Sequence, residues 1–137
     1  MTKRAFTLFE LLVSISIIGI LIAVASMSYG SAQKKARDTR RIEDLNSIQK
    51  AAEMYYSQNN ATYPLAANFF PTLKPFLPAE PKDPKGGSYQ PSANPADNTN
   101  YCIGVSMDNP VGNCTSITCG GFGTTTTGAF YCVKNQQ

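Results

Sequence analysis

The sequence predicts an α+β chain: one long N-terminal helix, then a loop-rich stretch, then a few short strands in a cysteine-bearing tail. Three observations predict it. The front of the chain is an apolar run with no charge from residue 11 to residue 33. Beyond it, apolar residues recur at helical spacing to about residue 58, and no proline occurs before Pro64. Behind that lie most of the prolines, between residues 64 and 100, and all 4 cysteines, from Cys102 on.

Taking the elements in order, the uncharged run makes a helix of roughly 34 Å at about 1.5 Å per residue. The hydrocarbon core of a bilayer is about 30 Å thick, so the segment is long enough to span it. A carboxylate, Glu10, stands just inside its N-terminal edge. A charged group there is costly, on the order of 2.5–3.5 kcal/mol at a helix centre and less near the interface, which implies a partner. The apolar run exceeds the core of a removable signal. The rival reading, a conventional signal cut after Ala23-Val24-Ala25, would start the mature domain near Ser26.

The rear half is amphipathic. Ala32, Ala36, Ile42, Leu45, Ile48, Ala52 and Tyr55 fall on one stripe, and the pairs Arg40 with Asp44 and Gln49 with Glu53 sit at i,i+4 on the outer surface. One helix therefore runs from Phe6 to about Gln58, ended by Asn59-Asn60 and then Tyr63-Pro64. In the proline-rich stretch that follows, Leu65, Phe69, Phe70, Leu73, Phe76 and Leu77 are anchors that need burial. Short strands are expected at 88–90, 100–107 and 129–134, the last two rich in β-branched and aromatic residues.

Composition narrows the chemistry. The net charge of +3 includes Lys3 and Arg4 at the extreme N-terminus, so basicity is no argument for nucleic acid. Histidine, the commonest general base and metal ligand, is absent from the sequence. Neither paired carboxylates, a phosphate-binding glycine loop nor a G-x-S-x-G motif occurs, and an enzyme is rejected. Cys102, Cys114, Cys119 and Cys132 form an even set in a glycine-rich tail, which reads as disulfides and an oxidising, extracytoplasmic setting. A four-cysteine zinc site is the rival, and the lack of a C-x-x-C pair weighs against it. Three pairings are open; the one preferred joins Cys102 to Cys132 across neighbouring strands, with Cys114–Cys119 closing the loop between them.

Lys3-Arg4-Ala5 followed by Phe6-Thr7-Leu8-Phe9-Glu10-Leu11-Leu12 resembles the cleavage and methylation site of type IV prepilins and secretion pseudopilins. The resemblance implies a leader of residues 1–5, cut by a membrane peptidase between Ala5 and Phe6. It implies N-methylation of Phe6, and an assembly role for Glu10, which would pair with the N-terminal amine of a neighbouring subunit. The family prefers Gly before the cut, where this chain has Ala5. Ala36-Arg37-Asp38 through Tyr55-Tyr56, Asn60-Ala61-Thr62-Tyr63-Pro64, and Pro81-Lys82-Asp83-Pro84 before Tyr89 follow the order seen in major pseudopilins and related pilins. The implied fold is the pilin fold, in which the rear helix lays its stripe on a small antiparallel sheet. Residues 6–30 would be the transmembrane and filament-core half-helix, and residues 31–137 the extracytoplasmic domain.

The expected function is a structural subunit of a type IV pilus-like filament, with a type II secretion pseudopilin or a DNA-uptake pilin as alternatives. Its expected partners are further copies of itself, the prepilin peptidase and methyltransferase, an assembly platform and the membrane. It would be a single-pass membrane protein before assembly, then an extracellular or cell-envelope filament. The positive-inside count opposes this orientation, with Lys3 and Arg4 before the span and Lys34, Lys35, Arg37, Arg40 and Arg41 after it. The cysteines and the resemblance put the rear outside. Those five basic residues form a candidate contact for DNA, acidic lipid or polysaccharide, against the reading of a solvated or subunit-facing helix surface. Asp83, Asp97 and Asp108 are candidates for calcium, although no cofactor is required and lone aspartates in such loops are usually turn formers. Asn60-Ala61-Thr62 and Asn113-Cys114-Thr115 match the glycosylation sequon, and Thr124–Thr127 reads as an exposed turn or edge strand.

Overall fold

The structure, a computed structural model, describes residues 6–93, 99–110, 112–115 and 129–135. Its first element is α1 (Leu8–Gln58), a helix of 51 residues. Nothing in the sequence interrupts it, and Thr7 starts it. The Thr7 hydroxyl accepts the N–H of Glu10 at 3.2 Å, while the Glu10 carboxylate accepts the N–H and the hydroxyl of Thr7 at 3.0 and 2.8 Å. This reciprocal capping box satisfies donors that a helix start otherwise leaves open. At the far end Asn60 and Ala61 take φ of 51° and 57°, the left-handed region that breaks helical bonding. Asn59 closes the turn by donating its side-chain amide to the Tyr55 carbonyl at 2.9 Å.

The chain divides into two compact units, one ending at Lys34 and one running from Lys35. In the first, α1 has no core of its own to face: residues 6–36 are all exposed. Its serines turn inward on the backbone. The hydroxyls of Ser14, Ser16 and Ser26 donate to the carbonyls of Glu10, Leu12 and Ile22 at 2.7–2.8 Å, so each finds its partner within the helix.

The second unit packs the rear of α1 against the remaining elements. After α1 come a 3₁₀ turn (Ala66–Asn68), α2 (Phe69–Leu73), β1 (Pro91–Ala93), β2 (Tyr101–Ser106) and β3 (Phe130–Lys134). The strands form an antiparallel sheet in the order β1-β2-β3. Leu45, Ile48, Ala51 and Ala52 of α1 meet Phe69 and Leu73 of α2, Tyr101, Ile103 and Val105 of β2, and Val133 of β3 in one buried cluster with Tyr63, Tyr89 and Met107. Each large apolar side chain buried there stabilises the fold by about 1.5–3 kcal/mol. Two tyrosines anchor their loops to α1 through polar tips: Tyr63 donates to Glu53 and Tyr89 to Asp44, both at 2.9 Å.

Several expectations are corrected here. The inner stripe of α1 is Asp38, Arg41, Leu45, Ile48 and Ala52, at steps of three and four, and its first two positions are charged. Ala32 and Ala36, assigned to that stripe, are exposed. Arg40 does meet Asp44, at 3.7 Å. Gln49 instead donates to the Lys134 carbonyl at 2.7 Å, because β3 passes beside it. The stretch after Pro64 is partly helical, since Pro71 falls in the first turn of α2, where no N–H is needed. Leu65 is exposed, and Phe69 and Leu73 carry the burial. The strand expected at 88–90 lies three residues later, with Pro91 on the sheet edge where its missing N–H costs nothing; Ser88 makes only an isolated bridge to Lys82.

The preferred cysteine pairing is also corrected. Cys114 is bonded to Cys132, with Cα atoms 6.0 Å apart. The sheet register explains it: Cys102 lies opposite Lys134 and Cys132 opposite Gly104, so Cys102 and Cys132 are offset across the ladder. Cys114, in contrast, bridges Phe130 on the other side of β3, two residues from Cys132. Cys102 is disulfide-bonded as well. Cys119 lies outside the described residues, as do the leader residues 1–5, Asp97 and the threonine run 124–127.

Candidate functional site

In the first unit the feature that stands out is an acid in an apolar setting. Phe6, Leu8, Phe9, Leu11 and Leu12 around Glu10 are all exposed large apolar groups. Glu10 itself is held by Thr7, three residues back, through the capping contacts described above. Sequence reasoning treated Glu10 only as an acid awaiting a partner and overlooked its own helix start, although Thr7-Leu8-Phe9-Glu10 carries the capping-box spacing in plain view. The helix is long and apolar enough to cross a membrane by length and composition. Phe6 is exposed beside it.

In the second unit a cluster of charges ties α1 to two loops. Arg41, 3% exposed, is its centre. Its Nε and Nη2 donate to the two oxygens of Asp83 at 2.5 and 3.2 Å, and its Nη1 donates to Asp38 at 2.9 Å. Asp38 in turn accepts the backbone N–H groups of Asp108 and Asn109 at 2.8 and 2.9 Å, and the Asn109 side-chain amide at 2.8 Å. Arg37 and Lys85 close on Asp108 at 2.7 and 2.6 Å. A cleft of about 280 Å³ opens beside the cluster, bordered by Arg41, Asp83, Lys85, Tyr89, Gly104 and Asp108.

The electrostatics are those of mutual neutralisation. The hydrogen bond to Asp83 leads in raising Arg41 further above its usual value, against the opposing effect of its burial. The same bond from Arg41 holds the Asp83 carboxyl below its ordinary range. Lys85 first, then Arg37, hold Asp108 well below it. For Asp38 burial is the largest effect and would raise the carboxyl, but the donors from Asp108, Asn109 and Arg41 together outweigh it and lower it. A planar fork that meets two carboxylates with directed N–H bonds is a structural clasp.

This arrangement relocates most of the sequence-derived candidates. Arg41, expected as a surface contact for anions, is buried. Arg37, half-buried, faces Asp108, and Arg40 reaches Asp44 at 3.7 Å while staying exposed, so Lys34, Lys35 and Arg40 are the exposed members of the run. Asp83 and Asp108, proposed for calcium, receive Arg41, Arg37 and Lys85 instead. Among the described residues no group of three His, Cys, Asp or Glu side chains is placed to hold a metal ion. Of the two sequons, Asn60 stands exposed in the turn after α1. Asn113 is committed to the backbone of Cys132, donating to its carbonyl at 3.0 Å and accepting its N–H at 2.7 Å. The buried Asp38–Arg41 pair was missed because charge at a core position contradicts the hydrophobic pattern; the i,i+3 spacing was the available signal.

Comparison with known proteins agrees with the front of the chain first. The family described as the prokaryotic N-terminal methylation motif matches residues 1–26. The type II secretion system core protein G of Klebsiella michiganensis is 31% identical over 104 residues, covering 65% of this chain and 72% of that protein. Its counterpart from Pectobacterium carotovorum is 29% identical over 103 residues, 64% of this chain and 65% of that one. The type IV wide pilus major component PilA4 of Thermus thermophilus is 45% identical over 58 residues, 42% of this chain and 44% of that protein. No solved structure matches the chain at the significance these relatives reach. A capped apolar helix, the methylation motif that opens it and likeness extending well into the second unit place this chain in the family of pilins and pseudopilins that includes the type II secretion core protein G.

Proposed function

We propose that the chain is a structural subunit of a type IV pilus-like filament, drawn from a membrane store of single-pass precursors. The observation that carries this reading is a half-helix with every residue from 6 to 36 exposed, without a charge from 11 to 33 and bearing one acid at its start. Lipid tails are as apolar as such a helix, so hydrophobicity alone does not draw copies together in the bilayer. Close packing and an ion pair do. Cleavage between Ala5 and Phe6 creates a new amine at Phe6, the N-methylation site, and Glu10 then answers the amine of a neighbouring copy in a medium of low dielectric. The prepilin peptidase and an assembly platform are the machinery this requires. The second unit stays outside the membrane, where its disulfides persist. No catalytic step is assigned to the chain.

A second reading, a pseudopilin filament of a type II secretion system, is favoured by one observation: the alignment with core protein G reaches over 104 residues, that with the wide-pilus component over 58. Both readings use the same helix and the same acid. The test is intact mass and N-terminal sequencing of the native protein, expected to begin at methylated Phe6. A chain that retains Met1, or that begins near Ser26, removes the amine or the acid and overturns the proposal. In cells with the matching machinery, Glu10→Ala is expected to reduce filament incorporation at least tenfold and to leave membrane insertion intact. Normal incorporation of that variant would end the ion-pair mechanism.

A further inference from the structure

A strand at the edge of a sheet presents unpaired N–H and C=O groups to any other strand that approaches. Among the described residues β3 occupies such a position, the last strand in the order β1-β2-β3. Its sequence, Phe-Tyr-Cys-Val-Lys, is of the type that pairs readily. In an antiparallel ladder alternate residues turn their backbone groups outward. The Met107 N–H donates to the Ala129 carbonyl at 2.9 Å, and this fixes the alternation: 129, 131 and 133 face β2, whereas 130, 132 and 134 face out.

Every one of those three outward residues is met by a group from elsewhere in the chain. The Phe130 carbonyl accepts the Cys114 N–H at 3.2 Å. Cys132 exchanges two hydrogen bonds with the Asn113 side chain, at 2.7 and 3.0 Å, a side-chain amide standing in for a strand's peptide group. The Lys134 carbonyl accepts the Gln49 amide at 2.7 Å. The Cys114–Cys132 bond then tethers the short segment that carries Asn113 to the strand it covers.

We infer that residues 112–115, together with Gln49 of α1, form a guard over the outer edge of β3, whose work is to keep β3 from pairing with β3 of a second copy. The occupant excluded is a second copy because a five-residue strand is self-complementary when turned antiparallel, and membrane-held copies meet at high local concentration. Side chains serve here better than a further strand, since a further strand would expose an edge of its own. The inference takes from the proposed function only that copies are held in one membrane; the contact it concerns lies within the second unit and is measured apart from filament assembly.

The test uses the full chain in detergent micelles. Asn113→Ala with Gln49→Ala removes the two side-chain amides that meet Cys132 and Lys134 and leaves the disulfide in place. Association is measured by analytical ultracentrifugation against the wild-type chain in the same detergent, which carries the same helix-driven background. Amide exchange is followed at Cys132. The double variant is expected to associate at least tenfold more tightly than wild type, through a contact that includes β3, and to exchange its Cys132 amide faster when dilute. Equal association of the folded, oxidised variant and the wild type would overturn the proposal. If the double variant does not fold, Gln49→Ala alone, which removes the amide that meets the Lys134 carbonyl, is expected to associate severalfold more tightly. An unchanged constant for that variant would overturn the proposal equally.

Discussion

At Arg41 a single side chain decides how the rear of α1 meets the loops above it. Its guanidinium is nearly dry and holds Asp83 through two N–H groups and Asp38 through a third. A buried ion pair is weak evidence of net stability, because removing two charges from water offsets most of their attraction. Breaking one is another matter, since the partner is left charged and dry. Arg41→Ala leaves Asp38 and Asp83 without their cation, and is expected to cost about 3–5 kcal/mol, a large part of a small domain's total. Urea unfolding in detergent, followed by near-ultraviolet circular dichroism of the buried tyrosines, measures it. A loss below about 1 kcal/mol would mean that water already solvates the cluster. Asp38 contributes through a second route, because its carboxylate also caps the N–H groups of Asp108 and Asn109. Asp38→Asn keeps the shape but brings an amide donor against those donors.

Elements show which parts of the fold were legible. Helix α1 was readable to its last residue, because an uninterrupted pattern and Asn59-Asn60 leave little choice of where it stops. Strands β2 and β3 were readable within a residue, from alternation and β-branched content. What escaped were features set by contacts distant in sequence. The Cys114–Cys132 bond depends on the register of β3 and on a segment that bridges its far side, and neither is written in cysteine spacing. The charged head of the inner stripe escaped because a pattern reading asks for apolar residues and finds Ala36 instead of Asp38. Glu10 was legible as an acid out of place, and its cap was legible too, but the two were not connected. The disulfide closes a sequence separation of 18, for which loop-closure entropy gives about 3 kcal/mol. Replacing Cys114 and Cys132 together by Ser is therefore expected to lower stability by about 2–4 kcal/mol, read from the urea midpoint in detergent. A shift within error would show that Asn113 and the core hold the segment without help.

On the scale of the whole molecule, the charged clasp and the buried tyrosines set a pH window for the second unit. Asp38, Asp83 and Asp108 all have folded values below their ordinary ones. In the unfolded chain such carboxyls take up protons near pH 3.9, while in the folded chain they resist. The unfolded state then binds more protons, so stability falls as pH drops from about 5 toward the folded values. On the alkaline side the sign reverses through a different group. Burial first, then the carboxylates of Glu53 and Asp44, push the Tyr63 and Tyr89 hydroxyls up, and burial does the same to Tyr101. An unfolded tyrosine releases its proton near pH 10, before these do, so stability falls again as pH rises beyond that. The expected profile of urea midpoint against pH is a plateau between about 5 and 9 with a fall on each side. Arg41→Ala is expected to flatten the acid limb, because Asp83 loses its principal partner, and to leave the alkaline limb where it was. An acid limb of unchanged steepness in that variant would move the source of acid sensitivity to carboxylates outside the clasp.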